Sequence, residues 1–400
     1  MASGSTRLAL ILSSVGHAYM HMFTAFYFTV VLALELDWSL PYHELIELWT
    51  LGALLVGAAA LPAGWLADRW GAAPMMVVFF IGIGAASILA GLSDGPVSLW
   101  VLLAGIGLFA AVYHPVGIPW LIRNANRRTG LVLATNGIFG SLGVALAAIV
   151  AGGLIDLWGW RAAFMAPGVI SIATGLVMLA LMRAGRVADR PLAEAGVGAP
   201  SRADRQRVYL ILLFTMFASG LIYHSAQTVM PKLFAERLAE LVGGSTLGVG
   251  LFVGAVYLVS GFAQLLGGIF ADRLPLKTVY LGAWAPQIIL FWFVAGAGGV
   301  PLLLAMSMTG ALVAGSLPAE NMLLARHAPA RHHGLAFGLK FVLGFGAAPV
   351  AIQLVAWMQA VTGGFFWLFA ALAMVALAVS ALALFLPGRR APTPMMAAGE

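Results

Sequence analysis

The sequence predicts an all-α membrane protein with twelve transmembrane helices in two pseudo-symmetric halves of six. Three observations lead there. Hydrophobic residues make up 62% of the 400 positions and charged residues only 9%, against about 25% charged in an ordinary soluble domain. Mean hydropathy is +0.98, which leaves too little polar surface to cover a water-soluble particle. The apolar residues fall into stretches near the roughly 20 residues that a helix needs to cross a hydrocarbon core. Finally, a polar segment divides the chain, and residues before it recur after it at one constant offset.

The spans are read at 7–34, 45–67, 74–93, 98–122, 130–155, 162–183, 208–234, 246–271, 278–297, 300–325, 334–359 and 364–386. The first is too long for a cleaved signal peptide, carries His17 and His21, and lacks a small-residue cleavage site. Of the 21 basic residues, all but Arg161, Lys232, Arg237 and Lys340 fall on one face, with both termini. Basic loops stay cytoplasmic, so both termini are expected inside a bacterial inner membrane. The opposite face holds Glu35, Asp37, Glu44, Glu47, Asp94, Asp156, Glu236 and Glu240. Residues 184–206 mix Arg, Asp, Glu, Pro, Gly and Ala. They read as a cytoplasmic linker between an N-terminal bundle, 1–183, and a C-terminal bundle, 207–400.

The halves repeat. Gly64-Trp65-Leu66-Ala67-Asp68-Arg69 returns as Gly268-Ile269-Phe270-Ala271-Asp272-Arg273, 204 positions later. The same offset pairs Tyr19 with Tyr223, Thr24 with Thr228, Gly130 with Gly334 and Gly140 with Gly344. Parallel repeats of this kind place a substrate site between the halves near the midplane. Cysteine is absent, which excludes disulfides, thiolate metal sites and cysteine nucleophiles. Disorder, nucleic-acid binding and a secreted disulfide scaffold are excluded by the same composition. No Gly-x-x-x-x-Gly-Lys-Ser/Thr phosphate loop occurs, so ATP is not the direct energy source.

Gly64-x-x-x-Asp68-Arg69-x-Gly71 resembles the loop signature of the major facilitator superfamily. The basic tail of that signature is replaced by Ala72, Ala73 and Pro74, and the second copy, Gly268 to Arg273, continues with Leu274-Pro275. The resemblance implies a rocking transporter in which these residues form a gate. Asp68 would sit at the start of span eleven and Asp272 at the start of span five, where a carboxylate beside a helix N-terminus is favoured by about 0.3–1 kcal/mol. A narrower likeness, Val112-Tyr113-His114-Pro115 with Arg123 and the glycines of span five, is similar to the fosmidomycin-resistance-like branch. That branch often has an acidic residue where this chain has Val116. Gly137, Gly140 and Gly143 read as helix-packing positions.

Ionisable groups inside a span are costly and mark function. The candidates are His17 and His21 in span one, His114 in span four, His224 in span seven, Glu320 in span ten and Lys340 in span eleven. His17 and His21 share one helix face. Such a pair can carry protons, grip an anion or ligate a metal. Tyr223, His224 and Gln227 form a polar stripe in span seven, matched by Tyr19 in span one. Glu320 and Lys340 start from the same membrane face and are placed to form an ion pair. Asn136 holds the repeat position of Lys340, so the symmetry breaks in charge there. Met20 and Met22 flank His21 and raise copper chemistry; adaptable core packing is the preferred reading, and no metal site or cofactor is expected.

The expected function is secondary active transport of a small solute, proton-coupled, with Glu320 and the span-one histidines as carriers. Export of a small organic molecule is implied by the fosmidomycin-resistance-like resemblance. Uptake of a metabolite or transition-metal ion is the alternative, and a non-transporting receptor or assembly factor is the alternative of another class. The expected partners are the solute, protons and the lipid bilayer, with no nucleic acid, and the protein is expected to be a monomer rather than part of an oligomer.

Overall fold

The backbone hydrogen bonds of a chain this apolar have to close within helices, because lipid offers no partners. The computed structural model describes residues 4–125, 129–187, 202–327 and 333–388, excluding the side chains of 4–5, 129–131, 134, 202–206 and 333–338. Among the described residues the secondary structure is helical, without strands. The spans run Thr6–Trp38, then a bent second span of Tyr42–Ala58 and Ala60–Trp70, then Ala72–Gly91, Pro96–Asn124, Thr135–Trp158 and Trp160–Arg183. The second group runs Arg207–Arg237, Thr246–Arg273, Leu276–Gly296, Gly299–His327, Leu339–Thr362 and Phe366–Ala383. Counting the bent pair as one, the described residues hold the expected twelve. Most of the linker, 188–201, lies outside the described residues.

Proline accounts for the bend in span two and for one interruption in span four. Span two bends by 44° at Ala59. Pro62 has no N–H for the carbonyl four residues back, and its ring presses on the chain there. In span four the hydrogen-bond ladder is interrupted at Ala111 and Val112, whose backbone stays α-helical, one turn before Pro115. The loop motif has a local reason too. Gly71 ends its helix at φ 93, a conformation that costs any residue with a Cβ.

Close packing relies on small residues. Spans three and six meet at Gly84 and Gly168, where a Cβ on either would stand 2.6–2.7 Å from the other's carbonyl oxygen. The two groups of spans meet along spans five and eight. There a Cβ at Gly250 would stand 2.3 Å from the Ala148 oxygen, and one at Gly152 would stand 2.4 Å from the Thr246 oxygen.

Polar ties join the two groups on the face opposite the motif. Lys232 bonds both oxygens of Glu35 at 2.9 Å. The Asp156 carboxylate, at the end of span five, accepts the amides of Thr246 and Leu247 at 3.0 and 2.8 Å. Ser245 takes the next free amide, that of Gly248, at 2.8 Å. Three of the orphan donors that begin span eight are thereby satisfied. At the pseudo-symmetric junction, His43 Nδ1 donates to Gln359 at 3.0 Å. Tyr42 donates to the Thr228 carbonyl at 2.8 Å, and Gln353 to Thr50 at 3.0 Å. On the motif face, Asp68 and Asp272 are exposed and have no hydrogen-bond or ion-pair partner among the described residues. The segment before span eleven, 328–332, lies outside those residues. The two groups of spans are thus tied together on the face opposite the motif, while the carboxylates of Asp68 and Asp272 are exposed.

Candidate functional site

A cavity of about 370 Å³ lies between the two groups of spans, within the size range of small-molecule sites. Spans one, four, seven and ten line it, joined by residues of spans five, eight, nine and eleven. A larger groove of about 690 Å³ lies on the flank between spans two and eleven. Its lining includes Glu44 and Glu47, whereas His17, His21, His114, His224, Glu320 and Lys340 line the central cavity.

The N-terminal wall is built around three imidazoles. His17 and His21 lie one turn apart, with ring centroids 4.9 Å apart. The ring of His114, brought in by span four just after its interruption, lies 5.4 Å from His17 and 5.5 Å from His21. Tyr113 stacks on His17 at 4.9 Å. His17 Nδ1 lies 2.7 Å from the main-chain oxygen of Asn136. That oxygen can only accept, so Nδ1 carries the hydrogen, and in the neutral ring Nε2 then presents a lone pair. The Asn136 amide donates to the Tyr113 hydroxyl at 2.9 Å. Gly140 leaves room for the His17 ring, since a Cβ there would stand 2.9 Å from Nε2.

The C-terminal wall carries the charge. Lys340 Nζ lies 2.7 Å from Glu320 Oε1, with the side chains only 14% and 2% exposed. Lys340 also donates to Asn321 at 2.5 Å, and the Tyr280 hydroxyl donates to Glu320 Oε2 at 3.1 Å. The lysine, the carboxylate and Asn321 all face the cavity. Phe341 and Phe345 stack beside them at 6.2 Å, and Phe345 lies 4.8 Å from the His114 ring. In span seven, Gln227 donates to the Tyr223 hydroxyl at 3.2 Å, and His224 borders the same space.

The structure therefore gathers His17, His21, His114, Tyr223, His224, Glu320 and Lys340 on one cavity, with Asn136 and Gln227 bonded to its lining. Tyr19 is the exception. Its hydroxyl lies 3.2 Å from Thr174 of span six, and its ring packs edge-on against Phe80 at 5.7 Å. The expected symmetric pairing of Tyr19 with Tyr223 at the site is corrected. The two positions match in the repeat, but Thr174 offers Tyr19 a partner on the outer side of its helix. Tyr113, Tyr280 and Asn321 were missed. Asn321 follows Glu320 directly, which was a usable signal; no sequence pattern pointed to Tyr280.

Two six-span groups around a midplane cavity, tied together on one face, define a polytopic carrier. A family model described as Major Facilitator Superfamily matches residues 10–240. The chain belongs to that superfamily, and it is a secondary transporter rather than an enzyme. It is 27% identical over 375 residues to the 4-hydroxybenzoate transporter PcaK of Pseudomonas aeruginosa, covering 84% of this chain and 82% of that protein. It is 24% identical over 271 residues to a probable sulfoacetate transporter of Cupriavidus necator, covering 63% and 61%. A multidrug resistance protein B homolog of Mycobacterium tuberculosis is 30% identical over 153 residues, 38% of this chain and 28% of that protein. Among solved structures, a bacterial homolog of the human lysosomal transporter Spinster, inward-facing and occupied, superposes with a TM-score of 0.77. It covers 98% of this chain and 100% of that one at 13% identity. The fold is therefore shared with an inward-facing carrier.

Proposed function

We propose that this protein carries a small organic anion together with a proton, and that the Lys340–Glu320 pair couples the two. The observation that carries this reading is the 2.7 Å contact between a cavity-facing lysine and a nearly inaccessible carboxylate. A solute carboxylate or sulfonate entering the cavity competes with Glu320 for Lys340. A buried carboxylate stripped of its countercharge is costly, and a proton removes that cost. Anion and proton therefore bind together, which makes the carrier a symporter and, under an inward proton gradient, an uptake system. The named solutes of two relatives, 4-hydroxybenzoate and sulfoacetate, are both small anions. Phe341, Phe345 and Tyr223 supply aromatic faces for a ring.

In this reading the bundles 1–183 and 207–400 rock about the site while the linker 184–206 joins them. The motif face is cytoplasmic, in a bacterial inner membrane. Asp68, Arg69, Asp272 and Arg273, with Gly64, Gly71 and Gly268 shaping the helix ends, close that face when the opposite one opens. The proton is assigned to Glu320. The span-one histidines, also offered by the sequence as carriers, face Tyr113 and one another.

Export by antiport is the second reading, favoured by the resemblance around His114-Pro115 and by the multidrug-resistance relative. Reconstituted vesicles separate the two. An imposed pH gradient, acid outside, drives labelled 4-hydroxybenzoate or a short sulfonate inward with protons under the symport reading. Solute leaving as protons enter would establish antiport instead. Absence of flux with either class of anion would remove the proposed solute class.

A further inference from the structure

We propose that His17, His21 and His114 form a binding site for one divalent transition-metal ion of the zinc type, on the N-terminal wall of the cavity. The proposal goes beyond the transport reading and does not rest on it. Each residue offers a ligand nitrogen, and these atoms lie within 4.8 Å of one another. Tetrahedral coordination at metal–nitrogen distances near 2.1 Å puts ligand nitrogens about 3.4 Å apart. Small side-chain rotations close that difference.

The surroundings already suit a metal. The Asn136 carbonyl holds His17 Nδ1–H at 2.7 Å, the outer contact that metal-bound histidines use to fix tautomer and ring orientation. His114 is 8% exposed, and its Nδ1 is buried without a hydrogen-bond partner. The His21 ring makes no hydrogen bond among the described residues. Three neutral imidazoles with no carboxylate in the set select zinc, cobalt, nickel or copper over magnesium or calcium. All three rings border the cavity, so the fourth coordination position opens to water or solute.

Only the N-terminal half carries the set. The repeat positions of His17, His21 and His114 are Leu221, Ser225 and Pro318. Because all three ligands belong to spans one and four, the site travels with that half.

The test uses purified full-length protein and Co²⁺ alone, since four-coordinate Co²⁺ has a strong visible absorption. The expected result is one Co²⁺ per chain with a tetrahedral spectrum, displaced by Zn²⁺. His17→Gln keeps an N–H donor for the Asn136 carbonyl, and together with His114→Asn it tests the ligands. Each should weaken binding roughly 100-fold or more, beyond the 10–100-fold cost of losing an outer-shell partner. His224→Ala, across the cavity, should leave Co²⁺ affinity unchanged. Thermal melts of the metal-free variants matching wild type show that folding is intact; if one variant fails that check, the other decides. Absence of a tetrahedral spectrum in the wild-type protein overturns the proposal. So does a spectrum that persists in both variants, which would place the metal elsewhere.

Discussion

Asn136 and Lys340 hold the same place in the two halves of a duplicated fold, and they do different work. Asn136 is buried, bonded to Tyr113 through its side chain and to His17 through its carbonyl. Lys340 faces the cavity and holds Glu320. In the proposed mechanism the repeat supplies matching helices that rock, while the coupling chemistry sits where the repeat is broken. One wall offers imidazoles, and the other offers a charge pair for a solute to divide.

The sharpest way to break this comparison is to make the halves alike. Lys340→Asn copies the N-terminal residue into the C-terminal half and leaves Glu320 buried without its partner. Destabilisation of about 3 kcal/mol and loss of anion transport are expected, read by thermal unfolding and vesicle flux. Adding Glu320→Gln should restore stability but not transport. A Lys340→Asn protein that transports at the wild-type rate would show that the asymmetry has no part in the mechanism.

Smaller changes ask whether the shared interface serves motion alone. Gly250→Leu places a side chain where even a Cβ would stand 2.3 Å from the Ala148 oxygen, so the closed face should be wedged open. The chain has no cysteine, which makes a single Ala53→Cys reporter clean. Ala53 is 2% exposed beneath the closed face. Its labelling by a membrane-impermeant thiol reagent should rise strongly in Gly250→Leu. Asp156→Asn removes a charge from the start of span eight, which costs about 1 kcal/mol. Labelling should rise by about fivefold, the population change such an energy gives. Neither variant should alter the number of protons moved per anion; if either did, the division between moving parts and coupling parts would fail.

Much of this arrangement was legible in the sequence because charge is so scarce in it. Glu320 and Lys340 stood out as ionisable groups within apolar spans, and the spacing of His17 and His21 placed them on one face. The joining of His114 to that pair was not legible. It depends on how spans one and four cross and on the interruption ahead of Pro115, neither of which leaves a periodic signal. Tyr19 misled because repeat symmetry relates backbones, whereas a hydroxyl goes to whichever partner is near, here Thr174. Asp156 read as one more charge opposite the basic face; its contact with span eight appears only once the halves are assembled.

The most direct test of the coupling claim counts protons at binding. Purified protein in weakly buffered detergent solution is titrated with 4-hydroxybenzoate or a short sulfonate, and proton uptake is followed alongside anion binding. Wild-type protein should take up protons as the anion binds, and Glu320→Gln should bind the anion with no proton uptake. Equal uptake by both proteins, or anion binding to wild type with none, would contradict the assignment of Glu320 and Lys340 as the coupling pair.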